Sequence, residues 1–218
     1  MSESSKSIMA PTSVRGERKN QKREAILYAA IEIFAYIGFD AASIGNIAVK
    51  AGVKKALVQY HFETKENLWK QAVRLVWQRR AEAIPHLLNN LDNLDKEQLI
   101  RELFRRIMHF AADNPAWVGI MFKEAAQPSE RLDWLIDELI RDDFKNGLEF
   151  VEVAQHKGLL PELQPLHLLH ILSGALTYVL NVAPLSQRVL GIDAKSDVYI
   201  EEHIDALMAM LNYSKNSA

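Results

Sequence analysis

Apolar residues recur at helical spacing along almost the whole chain, and a strict period of two is absent. Over residues 19–37, Ala25, Ile26, Ala29, Ala30, Ile33, Phe34 and Ile37 share one face, and Gly38 stops the helix. Ile44, Ile47 and Ala48 share a face of a second, shorter helix. A third is expected over 54–61, and a fourth opens at Lys65, carrying Leu68, Trp69, Ala72, Val73, Val76 and Trp77 until Pro85 ends or kinks it. Further helices fit 96–112, 116–126, 128–157 with Gly158 as the stop, 165–181, a short piece after Pro184 to Leu190, and 197–213. The expected fold is all-α: an N-terminal three-helix module joined through the fourth helix to a larger C-terminal helical domain.

Residues 44–68, IGNIAVKAGVKKALVQYHFETKENL, carry a helix-turn-helix pattern. Ala51-Gly52-Val53 breaks the chain between two short helices; Gly52 can take the positive φ of a tight turn and Val53 can plug the gap between them. In the helix that follows, Ala56, Leu57 and Val58 are expected to pack inward, with Lys54, Lys55, Gln59 and Tyr60 outward. Those outward types suit DNA: cations for phosphates, an amide for base edges, a phenol for either. Thr64 can cap the next helix, with Glu66 in its positive first turn.

The chain here resembles the TetR family of bacterial transcriptional regulators. The resemblance rests on matches in order over about residues 20–70: Arg23-Glu24-Ala25-Ile26-Leu27-Tyr28-Ala29-Ala30, Phe34, Gly38-Phe39, Ala42-Ser43-Ile44, Ile47-Ala48, Ala51-Gly52-Val53, Tyr60-His61-Phe62 and Lys65-Glu66-Asn67-Leu68. It departs at Lys54, where the family usually has Ser or Thr, at Ala56, often Gly, and at Gln59, where a tyrosine is common. The resemblance implies a helix-turn-helix DNA-binding domain, a small-molecule-binding body and a homodimer.

Charge agrees with a DNA-binding head. Residues 1–80 hold 14 Lys/Arg against 7 Asp/Glu, a net of +7, whereas the remainder holds 12 against 21, a net of −9. The expected division is a flexible basic N-terminal tail at 1–18, the DNA-binding domain at 19–64 and the ligand-binding and dimerisation domain at 65–218. Arg15, Arg18, Lys19, Lys22 and Arg23 make a basic arm that either reaches a minor groove or only solubilises the chain. The chain has no cysteine, its N-terminus lacks the apolar core of a secretory signal, and no apolar run suits a membrane span, so a cytoplasmic location is expected.

In the body, Phe104, Met108, His109, Trp117, Met121, Phe122, Trp134 and Phe144 are candidates to line a pocket for a flat or greasy effector, or else simply fill the core. The helix at 165–181 is apolar nearly all round, and Ile200, Ile204, Leu207, Met208 and Leu211 form a stripe on the last helix. Leu169, Leu172, Gly174, Leu176, Ile204, Leu207, Met208 and Leu211 are therefore the expected dimer face, in a two-fold four-helix interface.

His167 and His170 have metal-like spacing but no clear third ligand, and the acidic run from Asp133 to Asp143 is interleaved with Arg141. No GxSxG, P-loop or GxGxxG motif occurs, so neither an enzyme nor a cofactor is expected. The functional expectation is a ligand-responsive repressor on a near-palindromic DNA operator. Ser43, Lys54, Tyr60, Thr64 and Lys65 would hold phosphates, Lys55 and Gln59 would read base edges, and His61 would serve either role. The alternative is a helical small-molecule-binding or interaction protein that reads no specific operator.

Overall fold

The computed structural model describes residues 14–87 and 94–213, and every regular element among them is helical. Residues 1–13 of the expected tail lie outside the described residues. The described residues up to Ala72 form one compact unit and those from Val73 onward a second.

The first unit holds α1 (Val14–Ala41), α2 (Ile44–Lys50), α3 (Lys55–Phe62) and the start of α4 (Lys65–Leu87). α1 begins five residues before the expected start, so Arg15 and Arg18 lie on a helix rather than in a tail. Gly38 leaves helical geometry at φ 80° and ψ 171°, a conformation only glycine adopts without strain. The buried face of α1 is shifted from the expected one: Ala25 is exposed and Ile37 largely so, while Leu27 and Ile31 are buried with Ile26, Ala30 and Phe34.

Ser43 caps α2, its Oγ accepting from the Asn46 N–H at 3.0 Å. Ile47 and Ala48 are buried beneath it. The turn that follows is closed by the Gly52 N–H on the Val49 carbonyl and the Val53 N–H on the Ala48 carbonyl, with Gly52 at φ 65°. Leu68, Trp69 and Ala72 of α4 are also buried, and Trp69 meets Phe39 edge-on at 6.1 Å. The unit boundary therefore falls inside α4 rather than before it, because the first two turns of α4 complete the head's core.

The second unit contains the rest of α4, α5 (Lys96–Asp113), α6 (Pro115–Glu124), α7 (Glu130–Leu135), a π-helical stretch (Ile136–Ile140), α8 (Arg141–His156), α9 (Pro165–Asn181), α10 (Ala183–Leu190) and α11 (Asp197–Tyr213). α4 runs two residues past Pro85. α5 opens on a capping box between Asp95 and Gln98 and stops before Pro115, whose ring has no N–H to continue it. The helix expected over 128–157 is a single run interrupted by the π turn, a feature that no hydrophobic spacing announces.

α5 lies at the centre of this unit, packed on α6, α9 and α11, and α9 in turn packs on α6 and α8. Ile100, Phe104, Met108, Leu168, Leu172, Leu176, Ile200 and Ile204 make its main core. A smaller cluster joins Ala111, Val118 and Leu180, with Trp117 and Phe122 partly buried against it. Gly147 lets α8 approach α9 closely: a Cβ there would stand 3.2 Å from Leu169. Among the described residues no single helix is long and apolar enough to cross a membrane.

Candidate nucleic-acid interface

The amphipathic division of α3 makes the candidate surface. Val58 and Phe62, one turn apart, are fully buried and anchor the helix. Lys55, Ala56, Gln59 and Tyr60 are exposed on the opposite side, and Lys54 is exposed at the N-cap. Ala56 thus faces outward, contrary to the expected inward packing, and Leu57 is only half-buried. The reason is geometric: Val58 and Phe62 direct one ridge of a two-turn helix into the core, and positions 55, 56, 59 and 60 must then face out.

Tyr60 is held in place from α1. The Lys19 ammonium donates to its phenol oxygen at 3.3 Å and sits 5.2 Å from the ring centre. Lys22, Lys54, Ala56, Leu57 and Tyr60 line an open surface depression of about 530 Å³ together with Gly52 and Val53. Lys19 and Lys22 therefore join the recognition helix, although the sequence suggests only a basic arm. Their three-residue spacing on one helical face was the available signal, once α1 is known to start at Val14.

Two of the eight expected DNA contacts, Lys65 and His61, are placed differently from the expectation. The Lys65 ammonium donates to the carbonyls of Phe39 and Ala42, each at 3.0 Å, and lies 4.2 Å from the Phe39 ring centre. It closes the end of α1 and is committed to protein carbonyls rather than to a phosphate. The Thr64 Oγ1 accepts from the Asn67 N–H at 3.0 Å, the cap expected of it, which leaves only its hydroxyl proton for an outside acceptor. His61 is half-buried, and its Nε2 is buried with no partner among the described residues. Burial, then Lys19 and Arg23, lower its pKa, so the ring is neutral at pH 7 and carries no charge for a phosphate. Ser43 is exposed and, like Thr64, already caps a helix.

Glu63, directly after α3, has φ 60° and ψ −63°, and is the one non-glycine residue with positive φ among those described. The Thr64 N–H bonds back to the Phe62 carbonyl at 2.6 Å across it, forming a γ-turn. This tight reversal sets Thr64 at the start of α4.

The pocket candidates are not brought together. Phe104 and Met108 belong to the main core of the second unit, Trp117 and Phe122 to the smaller cluster, and His109 and Met121 are half-buried. Trp134 carries the Arg74 guanidinium 4.9 Å above its ring, and Phe144 is exposed beside His170. The eight residues are thus spread over several environments. The expected dimer face is also mostly inside the chain: Leu172, Leu176, Ile204, Leu207 and Met208 are buried in the main core, with Leu169 and Leu211 packed against it. Of that set Gly174 alone opens outward, with no atom within 4 Å of where its Cβ would be. His167 and His170 are exposed on α9, and no cluster of three metal-ligating side chains occurs among the described residues.

Residues 26–72 match the family model for bacterial regulatory proteins of the tetR family, the segment that contains α2, the glycine turn and α3. This segment matches the tetR family. It is 29% identical to the HTH-type transcriptional repressor NicS of Pseudomonas putida over 156 residues, covering 68% of this chain and 70% of NicS. It is 24% identical to the HTH-type transcriptional regulator RutR of Escherichia coli over 208 residues, 92% of this chain and 93% of RutR. Among solved structures, AibR, determined with isovaleryl coenzyme A and operator DNA, superposes with a TM-score of 0.63 at 17% identity, over 87% of this chain and 97% of AibR. NicS and RutR are named as transcriptional regulators, and the likeness to AibR shows the fold.

Proposed function

We propose that this protein is a transcriptional repressor of the tetR family that binds a near-palindromic operator as a homodimer and is released by a small-molecule effector. The observation that carries this reading is the outward face of α3: Lys55, Ala56, Gln59 and Tyr60 exposed above the buried anchors Val58 and Phe62. Lys55 is assigned to guanine and Gln59 to adenine edges, and the methyl of Ala56 suits a thymine methyl. Lys19, Lys22, Lys54 and Tyr60 hold the flanking phosphates, and the hydroxyls of Ser43 and Thr64 donate to backbone oxygens while keeping their caps. Lys65 and His61 serve this surface from behind, by fixing the end of α1 and by packing.

A homodimer supplies two such helices about 34–36 Å, or a multiple, apart. The face offered to a second copy is the outer side of α9 and α11. Ile171, Gly174 and Tyr178 lie at helical spacing there on α9, and Val198 and Met210 are exposed on α11. The repressor reading is supported by the likeness to the repressor NicS, and the effector reading by AibR, which was determined in complex with isovaleryl coenzyme A and operator DNA. For this chain the effector site is assigned to the second unit. α4, continuous in sequence from the head into that unit, carries the response.

The test is selection from a random DNA pool with the full chain, followed by binding to the enriched sequence against scrambled DNA. An enriched inverted repeat bound by two chains is the expected result. Binding that random competitor DNA abolishes would favour the second reading, a helical binding protein without an operator.

A further inference from the structure

Trp77 and Arg80, three residues apart on α4, both donate to one carboxylate oxygen. The Trp77 indole N–H reaches Asp143 Oδ2 at 3.2 Å, and Arg80 Nη1 reaches the same atom at 2.7 Å. The Arg80 guanidinium also lies 5.0 Å from the centre of the Trp117 ring, which tilts against Phe110 at 6.2 Å. The Trp117 indole N–H is buried and meets no acceptor among the described residues. A buried donor left unmade is costly, and native structures leave few of them.

The locus has a definite chemistry. Arg80, Trp77 and Trp117 present only donors, and a guanidinium offers five N–H groups, of which Asp143 engages Nη1. The aromatic surface beside them is the Trp117 ring under the guanidinium, with Phe110 tilted against it. Asp143, from α8, is the acceptor that Trp77 and Arg80 share. The Arg80 and Asp143 side chains keep 18% and 32% of their surface exposed, so a small molecule can reach the pair from solvent.

We propose that this cluster is a receptor for the carboxylate of a small aromatic acid, occupied in the effector-free protein by the chain's own Asp143. The assignment rests on the reading that the second unit binds an effector, and it names the class of that effector. The incoming carboxylate takes over Arg80 and satisfies the Trp117 N–H, while its ring stacks on that aromatic surface. Asp143 is released to solvent. A tie between α4 and α8 is thereby exchanged for a tie between α4 and the effector. Arg74 also ties α4 to the π-helical stretch, bonding Glu138 at 2.9 Å and lying over Trp134. Because the effector competes with an internal bond, it favours the conformation in which α4 is free of α8, the differential affinity that a response requires. A neutral ligand of the same shape would leave the guanidinium without its counter-charge and is expected to bind poorly.

The experiment uses the full chain carrying Asp143→Ala, with acetate as the probe and acetamide and chloride as controls at equal ionic strength. The expected result is a rise of several degrees in melting temperature with acetate, larger than in the wild type, where Asp143 competes. Acetamide and chloride should give no such rise, and the double variant Arg80→Gln with Asp143→Ala should lose it. An acetate effect no greater than that of chloride, equal with acetamide, or retained without Arg80 would overturn the proposal. If Asp143→Ala does not fold, Asp143→Asn, which keeps the side chain's size, carries the same comparison. Operator selection with the wild type runs in parallel. Specific DNA binding without an acetate effect sinks only the carboxylate receptor, and the reverse result sinks only the repressor reading.

Discussion

The Arg105 guanidinium closes on the Glu201 carboxylate through two hydrogen bonds, Nε to Oε1 and Nη2 to Oε2, the second 2.8 Å long. This is the middle rung of a ladder between α5 and α11. One turn along α5 in either direction, Arg101 pairs with Asp205, and His109 Nδ1 stands 4.0 Å from Asp197. Steps of four residues backward on α5 match steps of four forward on α11, as antiparallel helices require. The ladder borders the apolar contact of Ile100, Phe104 and Met108 with Ile200 and Ile204, and fixes its register.

Replacing Glu201 by Gln should cost about 1 kcal/mol at pH 7. Two charge-assisted bonds are lost, but both heads are more than a third exposed and screened by solvent, which limits the effect. The bonds from Arg105 hold the Glu201 carboxyl below its ordinary pKa of 4.5. Its stabilisation is therefore complete above that value and is lost as pH falls through the lower, folded-state value. Urea unfolding at neutral pH and at successively lower pH checks this, because protonation of Glu201 should narrow the gap between the variant and the wild type. A gap that persists in acid would mean that the ion pair is not its source.

Lys54→Ala and Gln59→Ala should fail in different ways. Loss of a phosphate cation weakens binding to all sequences alike and lowers the salt slope by about 1. Loss of the amide should relax discrimination at one base pair by about 1–3 kcal/mol. Affinities for an operator and its single-base variants, measured over a range of salt, separate the two. A uniform loss with Gln59→Ala would remove it from base reading.

Glu63→Gly should stabilise the head by about 1 kcal/mol. A non-glycine residue at φ 60° and ψ −63° carries about 1–3 kcal/mol of strain, partly offset by the greater freedom of glycine in the unfolded chain. Glu63→Ala keeps the Cβ and should bring no such gain. Urea midpoints for the three proteins decide the matter, and equal gains from Gly and Ala would assign the effect to charge instead of backbone.

His61 should make the head's stability depend on pH. Its pKa is lowered from the ordinary 6.5 by burial first and by Lys19 and Arg23 second. The unfolded chain therefore takes up a proton more readily than the folded one. Stability is full above 6.5 and falls as pH drops toward the folded-state value. Melting curves between about pH 7.5 and pH 5.5 should show the decline, and His61→Gln should flatten it. An equally steep decline in that variant would place the titrating group elsewhere.

What was legible in the sequence was local. Gly52 and Thr64 mark a turn and a helix start through their own backbone preferences and short-range hydrogen bonds, and the structure places each at such a point. The outward set Lys54, Lys55, Gln59 and Tyr60 was legible for the same reason, since a two-turn helix with Val58 and Phe62 inward has one possible outer side. Ala56 was misplaced because its small apolar side chain satisfies either face. The settings of Lys65 and His61 are not legible locally, because the carbonyls of Phe39 and Ala42 and the cations Lys19 and Arg23 lie far away along the chain.

The sequence by itself determined an all-helical chain, a helix-turn-helix head and the tetR-family resemblance, because periodicity, caps and glycine turns act within a few residues. Only the tertiary structure decided which apolar faces meet. Leu172, Leu176, Ile204 and Met208 read equally well as a core or as a dimer face, and packing around α5 made them core. It also brought Trp77 and Arg80 to Asp143, more than sixty residues away. A hydrophobic stripe specifies that it must be covered but not by what, and a charge specifies no partner; both are settled when the helices pack.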